Sequence, residues 1–118
     1  MDSLFVAYGQ ILFLLLIGHA LCDFPLQGDF LSKLKNPELF PENRMWMWGL
    51  LWHGLIHAGA VLLITGSFVL ALAECGVHIV IDYLKCKRHL SFNADQMFHV
   101  AYKFVWAYLA VYYGSSLL

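Results

Sequence analysis

Four stretches of this 118-residue chain carry metal-type ligands one helical turn apart, each inside otherwise apolar sequence. His19 pairs with Asp23, His53 with His57, and Asp95 with His99, while Glu74, His78 and Asp82 form a triplet. Residues at i and i+4 stack on one face of a helix, so each set presents imidazole and carboxylate as a single stripe. No thiolate joins them, and imidazole with carboxylate suits Zn, Mn, Fe or Ni better than an iron–sulfur cluster. One ion takes three or four protein ligands, so nine candidates suit two divalent transition ions about 3.5–4 Å apart, bridged by a carboxylate. Glu74 and Asp82 are the expected bridging and catalytic carboxylates, because their helix alone offers three groups in line. A pair of ions that close would activate water on one and polarise a carbonyl or phosphoryl oxygen on the other.

Several of these side chains have plainer readings beside the chemical one. Asp95 in the first turn of a helix is favoured by the helix dipole alone. Asp82 can pair with Lys85, and His19 with Asp23 can be a packing hydrogen bond. Gln27, one turn beyond Asp23, is expected to bind substrate or to cap its helix. Lys85 and Lys103 are expected to face an anionic substrate, with Lys103 alternatively facing Glu74 or snorkelling toward the interface. His89, Glu38 and Glu42 read as solvated loop residues. The three cysteines (Cys22, Cys75, Cys86) form no C-x-x-C pair and read as small packed hydrophobes.

The elements that position the stripes must be membrane helices. Hydrophobic residues make up 61% of the chain, charged residues only 13%, and the mean hydropathy is +0.68. A soluble domain of this size needs a more polar surface. A spanning helix needs roughly 20 apolar residues. Residues 4–24 meet that. The run 45–73 has no Lys, Arg, Asp or Glu and is too long for one span, so Thr65-Gly66-Ser67 divides it into spans 45–65 and 67–84. Residues 97–118 supply the fourth. The expected fold is all-α, a four-helix transmembrane bundle forming one domain over 1–118. Asp2 in place of a basic start, and the lack of a small-x-small site, argue for a retained first span over a signal peptide. Pro25 should kink it, letting residues 29–34 continue it as an amphipathic turn. Asn93 with Gln96 reads as a capping box for the fourth helix. No basic patch with interleaved aromatics suggests nucleic acid.

Six of the seven basic residues fall in or beside the two polar connections, which by the positive-inside rule face the cytoplasm, leaving both termini outside. Trp46, Trp48 and Trp52 at one end, and Tyr108, Tyr112 and Tyr113 at the other, fit interfacial belts. Folding the hairpin about Gly66 sets His53 level with residue 79 and His57 level with residue 75, beside His78 and Glu74. Asp82, Asp95, His99, His19 and Asp23 lie at the same, cytoplasmic end. Four independent stripes thus converge near one interface.

The stretch His19-Ala-Leu-Cys-Asp23-Phe24-Pro-Leu-Gln27, followed by His53-x3-His57 and Glu74-x3-His78-x3-Asp82-x2-Lys85, resembles a family of short bacterial and phage membrane proteins, domain of unknown function 3307. The resemblance covers nearly the whole chain, implies a bacterial inner-membrane location, and implies no activity. A more distant likeness to small membrane-bound proteins predicted to be metal-dependent hydrolases implies hydrolysis by fold-level analogy. The leading expectation is a metal-dependent hydrolase, with Zn, Mn or Fe, acting on a lipid or lipid-linked ester or phosphoester at the cytoplasmic leaflet. No Ser–His or Cys–His nucleophile competes. A di-iron lipid oxidase is the next class, although Glu74-x3-His78 has one residue more than the Glu-x-x-His of ferritin-like bundles. A transporter or proton relay would need polar residues continuing outward, and 67–73 offers almost none. A zinc-stabilised structural protein explains the ligands but not their number. Each class is compatible with a homo-oligomer.

Overall fold

The computed structural model describes residues 2–114, and every element among them is helical. The first helix, α1, runs Ser3–Asp23 and opens where the Asp2 carboxylate accepts the Leu4 N–H at 3.0 Å. It ends just before Phe24 and Pro25, where the chain turns sharply through Leu26 N–H to Leu21 O (3.0 Å). Gly28, at φ 66°, then starts a separate short helix, α2, at Gly28–Leu34. The expected continuation of the first helix is therefore a break, because a proline and a left-handed glycine fall within one turn.

A 3-10 turn at Glu42–Arg44 leads into α3, Met45–Thr65, which stops at Gly66 (φ 72°) with its N–H on Leu62 O at 2.8 Å. Only glycine takes that left-handed position without strain. Ser67 accepts the Leu70 N–H and opens α4, Phe68–Cys86. The last helix, α5, is Phe92–Tyr113. Its cap is Ser91, whose Oγ accepts the Ala94 N–H at 3.0 Å, not Asn93. The helix begins two residues before the start that an Asn93 cap would set, and the Gln96 side chain, free of capping, turns inward. The expected end of that span, 115–118, lies outside the described residues.

The α3–α4 hairpin packs α3 against α1 and α4 against α5, and α1 and α5 close the ring; α2 lies on α3. The bundle measures 53 × 26 × 23 Å. Its interior has two halves. Toward the Gly66 turn it is apolar, built on Leu15, Val61, Leu70, Trp106 and Ala107. Toward the two polar connections it is filled by histidines, carboxylates and lysines. Those connections meet there, since Lys87 Nζ lies 2.9 Å from Glu38 Oε1 and holds that exposed carboxyl below the usual carboxylate range.

The outside reverses the polarity expected of a soluble protein. Leu63 is 88% exposed and Phe13, Val80 and Met97 are exposed too, whereas Lys103 is only 1% exposed and His53 is fully buried. By length and composition, α1 and α3 could each cross a membrane. The similarly long α4 and α5 are not among those candidates; they carry Glu74, Asp82, Lys85, Asp95 and Lys103.

Candidate metal centre

Three helices deliver the central donors. On α3, His53 and His57 sit one turn apart on the buried face, and Gly54 between them lets α4 approach: a Cβ there would lie 2.8 Å from Ile79 Cγ1. His78 comes from α4, and Asp23 is the last residue of α1. Asp23 Oδ1 lies 3.1 Å from His57 Nε2, 3.2 Å from His53 Nε2 and 3.7 Å from His78 Nε2. His53 and His78 Nε2 are 3.1 Å apart. A tetrahedral ion with bonds of 2.0–2.1 Å needs neighbouring donors about 3.3 Å apart, so the reported separations suit one. Asp23, His53, His57 and His78 form one buried group that could hold a metal ion, and His78, Asp82 and His99 form another.

The surroundings orient these donors. His78 Nδ1 lies 3.2 Å from Glu74 Oε1, and donation to that carboxylate leaves the Nε2 lone pair aimed at the other donors. Glu74 in turn accepts from Lys103 Nζ at 2.8 Å and Trp106 Nε1 at 2.6 Å. On the far side, Gln96 Nε2 donates to Asp23 Oδ2 at 2.7 Å while its Oε1 faces His19 Nε2 at 3.1 Å. Asp82 Oδ1 is 3.3 Å from His99 Nε2; its Oδ2 is 3.3 Å from His53 Nε2 and accepts from Lys35 Nζ at 2.6 Å. His57 and His78 stack at 3.7 Å between centroids, and His78 and His99 at 4.1 Å. Among the described residues, the buried Nδ1 atoms of His19 and His53 have no hydrogen-bond partner.

All nine expected ligands are buried, and the hairpin register holds, with His53 meeting His78. They do not all stand equally close. His19, Glu74 and Asp95 fall outside both donor groups. Glu74 lies against Lys103 and Trp106 of α5, and Asp95 Oδ2 lies 3.5 Å from Lys85 Nζ. Of the expected substrate residues, Gln27 donates to the Asp23 carbonyl at 3.1 Å with its Oε1 unpartnered, Lys103 is consumed by Glu74, and Lys85 is partly exposed beside Asp82 and Asp95.

Three contributors were not legible as such. Lys35, 2% exposed, stands in a polar connection with Lys33 and Arg44, and nothing in its neighbours marks it. Gln96 looked like a capping residue, although its position three before His99 puts it on the same face. Trp106 extends the Asp95–His99–Lys103 side of α5 and could have been found by that spacing.

Four carboxylates (Asp23, Glu74, Asp82, Asp95) face three lysines (Lys35, Lys85, Lys103), and the His99 imidazole lies 3.3 Å from both Asp82 Oδ1 and Asp95 Oδ1. No match was found among curated proteins or among solved structures. The model of the family described as protein of unknown function (DUF3307) matches residues 11–118, and the chain belongs to that family.

Proposed function

We propose that the protein is a metal-dependent hydrolase of the bacterial cytoplasmic membrane that cleaves an ester or phosphoester in an amphiphilic substrate at the cytoplasmic leaflet. The observation that carries this reading is the Asp23, His53, His57 and His78 group, whose donor atoms all lie within 4.8 Å of one another, buried inside a bundle with an apolar outer surface. Four spans, with both termini outside the cytoplasm, follow from the basic connections. On that reading α4 and α5 cross with their ionisable residues turned inward, as intramembrane charges must.

A divalent ion bound there would supply Lewis acidity and lower the pKa of water. The chain's own residues do the rest. Glu74 fixes the ring of His78, and Gln96 holds the Asp23 carboxylate. Lys85, partly exposed beside Asp82 and Asp95, suits a substrate that brings an anionic group. Gln27 Oε1, beside Asp23, is a buried acceptor with no partner of its own among the described residues. The apolar groove along α5 lined by Gln96, Met97, Val100, Ala101 and Phe104, about 550 Å³, shares Gln96 with the centre and suits an acyl chain.

A second reading, an ion that only staples the helices, is favoured by one observation: four protein donors can close a tetrahedron, as structural zinc sites do. One experiment separates the two. Metal-loaded protein in detergent is given membrane lipid extracts, with and without chelator, and release of headgroup or phosphate is followed. Chelator-sensitive release supports hydrolysis. Absence of release from any lipid pool, with a chelator-dependent fall in Tm, supports the staple.

A further inference from the structure

The two donor groups share His78, and His78 has one nitrogen to give. Its Nδ1 is committed to Glu74, and its Nε2 stands 3.1 Å from His53 Nε2 in the first group. That leaves the second group Asp82 and His99, with Asp95 Oδ1, 3.3 Å from His99 Nε2, as a third donor within reach, and Asp82 is already occupied. The Lys35 ammonium lies 2.6 Å from its Oδ2, and the Lys85 ammonium 3.9 Å from its Oδ1 and 3.5 Å from Asp95 Oδ2. An ion bonded to Asp82 at about 2.0–2.2 Å would sit within a few ångströms of both. Like charges that close repel strongly where water is excluded.

We infer that Lys35 takes the place of a second metal ion: the centre holds one divalent ion, on Asp23, His53, His57 and His78, and Lys35 sets that number. The fold gives Lys35 this position deliberately in the physical sense that its backbone is seated. Lys35 follows α2, and at Gly49 on α3 a Cβ would stand 2.7 Å from Lys35 N, 2.8 Å from its Cα and 2.9 Å from Leu34 C. Absence of a side chain at Gly49 is what lets the end of α2 drop against α3. Lys33, two residues earlier, shows the contrast: it is exposed and pairs with exposed Asp29. This inference rests on the ion-binding half of the proposed function and is independent of the hydrolytic half.

The test is metal stoichiometry. Protein purified in detergent and stripped with chelator is titrated with Mn(II), read by elemental analysis and by electron paramagnetic resonance. Wild type and Lys33→Met should each saturate at one ion per chain with the spectrum of an isolated ion. Lys35→Met should saturate at two, with a coupled spectrum from ions about 4 Å apart. Gly49→Ala keeps the ammonium but displaces its backbone, and should also exceed one ion, which provides a second arm should Lys35→Met fail to fold. Two ions in wild type would overturn the role of Lys35 and leave hydrolysis standing. One ion in folded Lys35→Met would overturn it as well. No ion in wild type would overturn both this inference and the metal-dependent function.

Discussion

Replacing Glu74 with glutamine keeps the side-chain volume and removes a charge that three donors share. His78 Nδ1, Lys103 Nζ and Trp106 Nε1 all point at this carboxylate, at 3.2, 2.8 and 2.6 Å. Two consequences follow, and they are separable. Lys103 is left as a buried cation without its counter-ion, and breaking a buried pair from one side costs about 3–5 kcal/mol. His78 loses a charged acceptor behind its ring, and loss of such a partner typically lowers metal affinity about 10–100-fold, or about 1.4–2.7 kcal/mol. Adding Lys103→Met removes the orphan charge, so stability should return to near wild type, since neutral replacement of a buried pair is often harmless. Affinity should stay low, because His78 still faces a neutral group. Thermal unfolding in detergent reads the first effect and chelator competition for Zn(II) reads the second. Recovery of wild-type affinity in the double variant would refute the orienting role of Glu74. Complete loss of binding in Glu74→Gln alone would make it a ligand instead.

Ser91→Ala should cost about 1 kcal/mol of stability, while Asn93→Ala should change it by only a few tenths; equal losses would show that the cap is misassigned. His57→Ala should lose bound transition metal on elemental analysis, and unchanged stoichiometry against wild type would remove α3 from the centre. Cysteines placed at Phe68 and at Leu39, both exposed, in a background lacking Cys22, Cys75 and Cys86, should label from opposite sides of the membrane. Labelling of position 68 from the cytoplasm alone would invert the proposed topology.

The helical hairpin and the ligand stripes were readable because both are local. Thr65-Gly66-Ser67 breaks an uncharged run, and i, i+4 spacing fixes which side chains share a face. The bounds of α3, Met45–Thr65, follow from the sequence for that reason. The ring order, and with it the split between central donors and orienting residues, depends on contacts far apart in the chain. Glu74 looked like a bridging ligand because it stands in line with His78 and Asp82. Trp106 and Lys103, some thirty residues away, draw it to α5 instead. Lys35 could not be singled out, since its burial depends on the missing side chain of Gly49 fourteen residues later. The start of α5 was misplaced by two residues because Asn93 and Ser91 are both good capping types, and it is the Ser91 Oγ that accepts the Ala94 N–H.

The pairing of Glu74 with Lys103 joins helices that leave the ribosome at different times. In a bilayer, α3 and α4 can fold as a hairpin as soon as both have emerged, bringing His53, His57 and His78 together early. At that stage Glu74 has His78 but neither of its α5 donors. On the proposed four-span topology, the hairpin alone would be a poor guest of the hydrocarbon, and the arrival of α5 would make its insertion favourable. Biogenesis of this protein would accordingly be all-or-none with respect to its last helix, and truncation before Lys103 should expose α4 to membrane quality control.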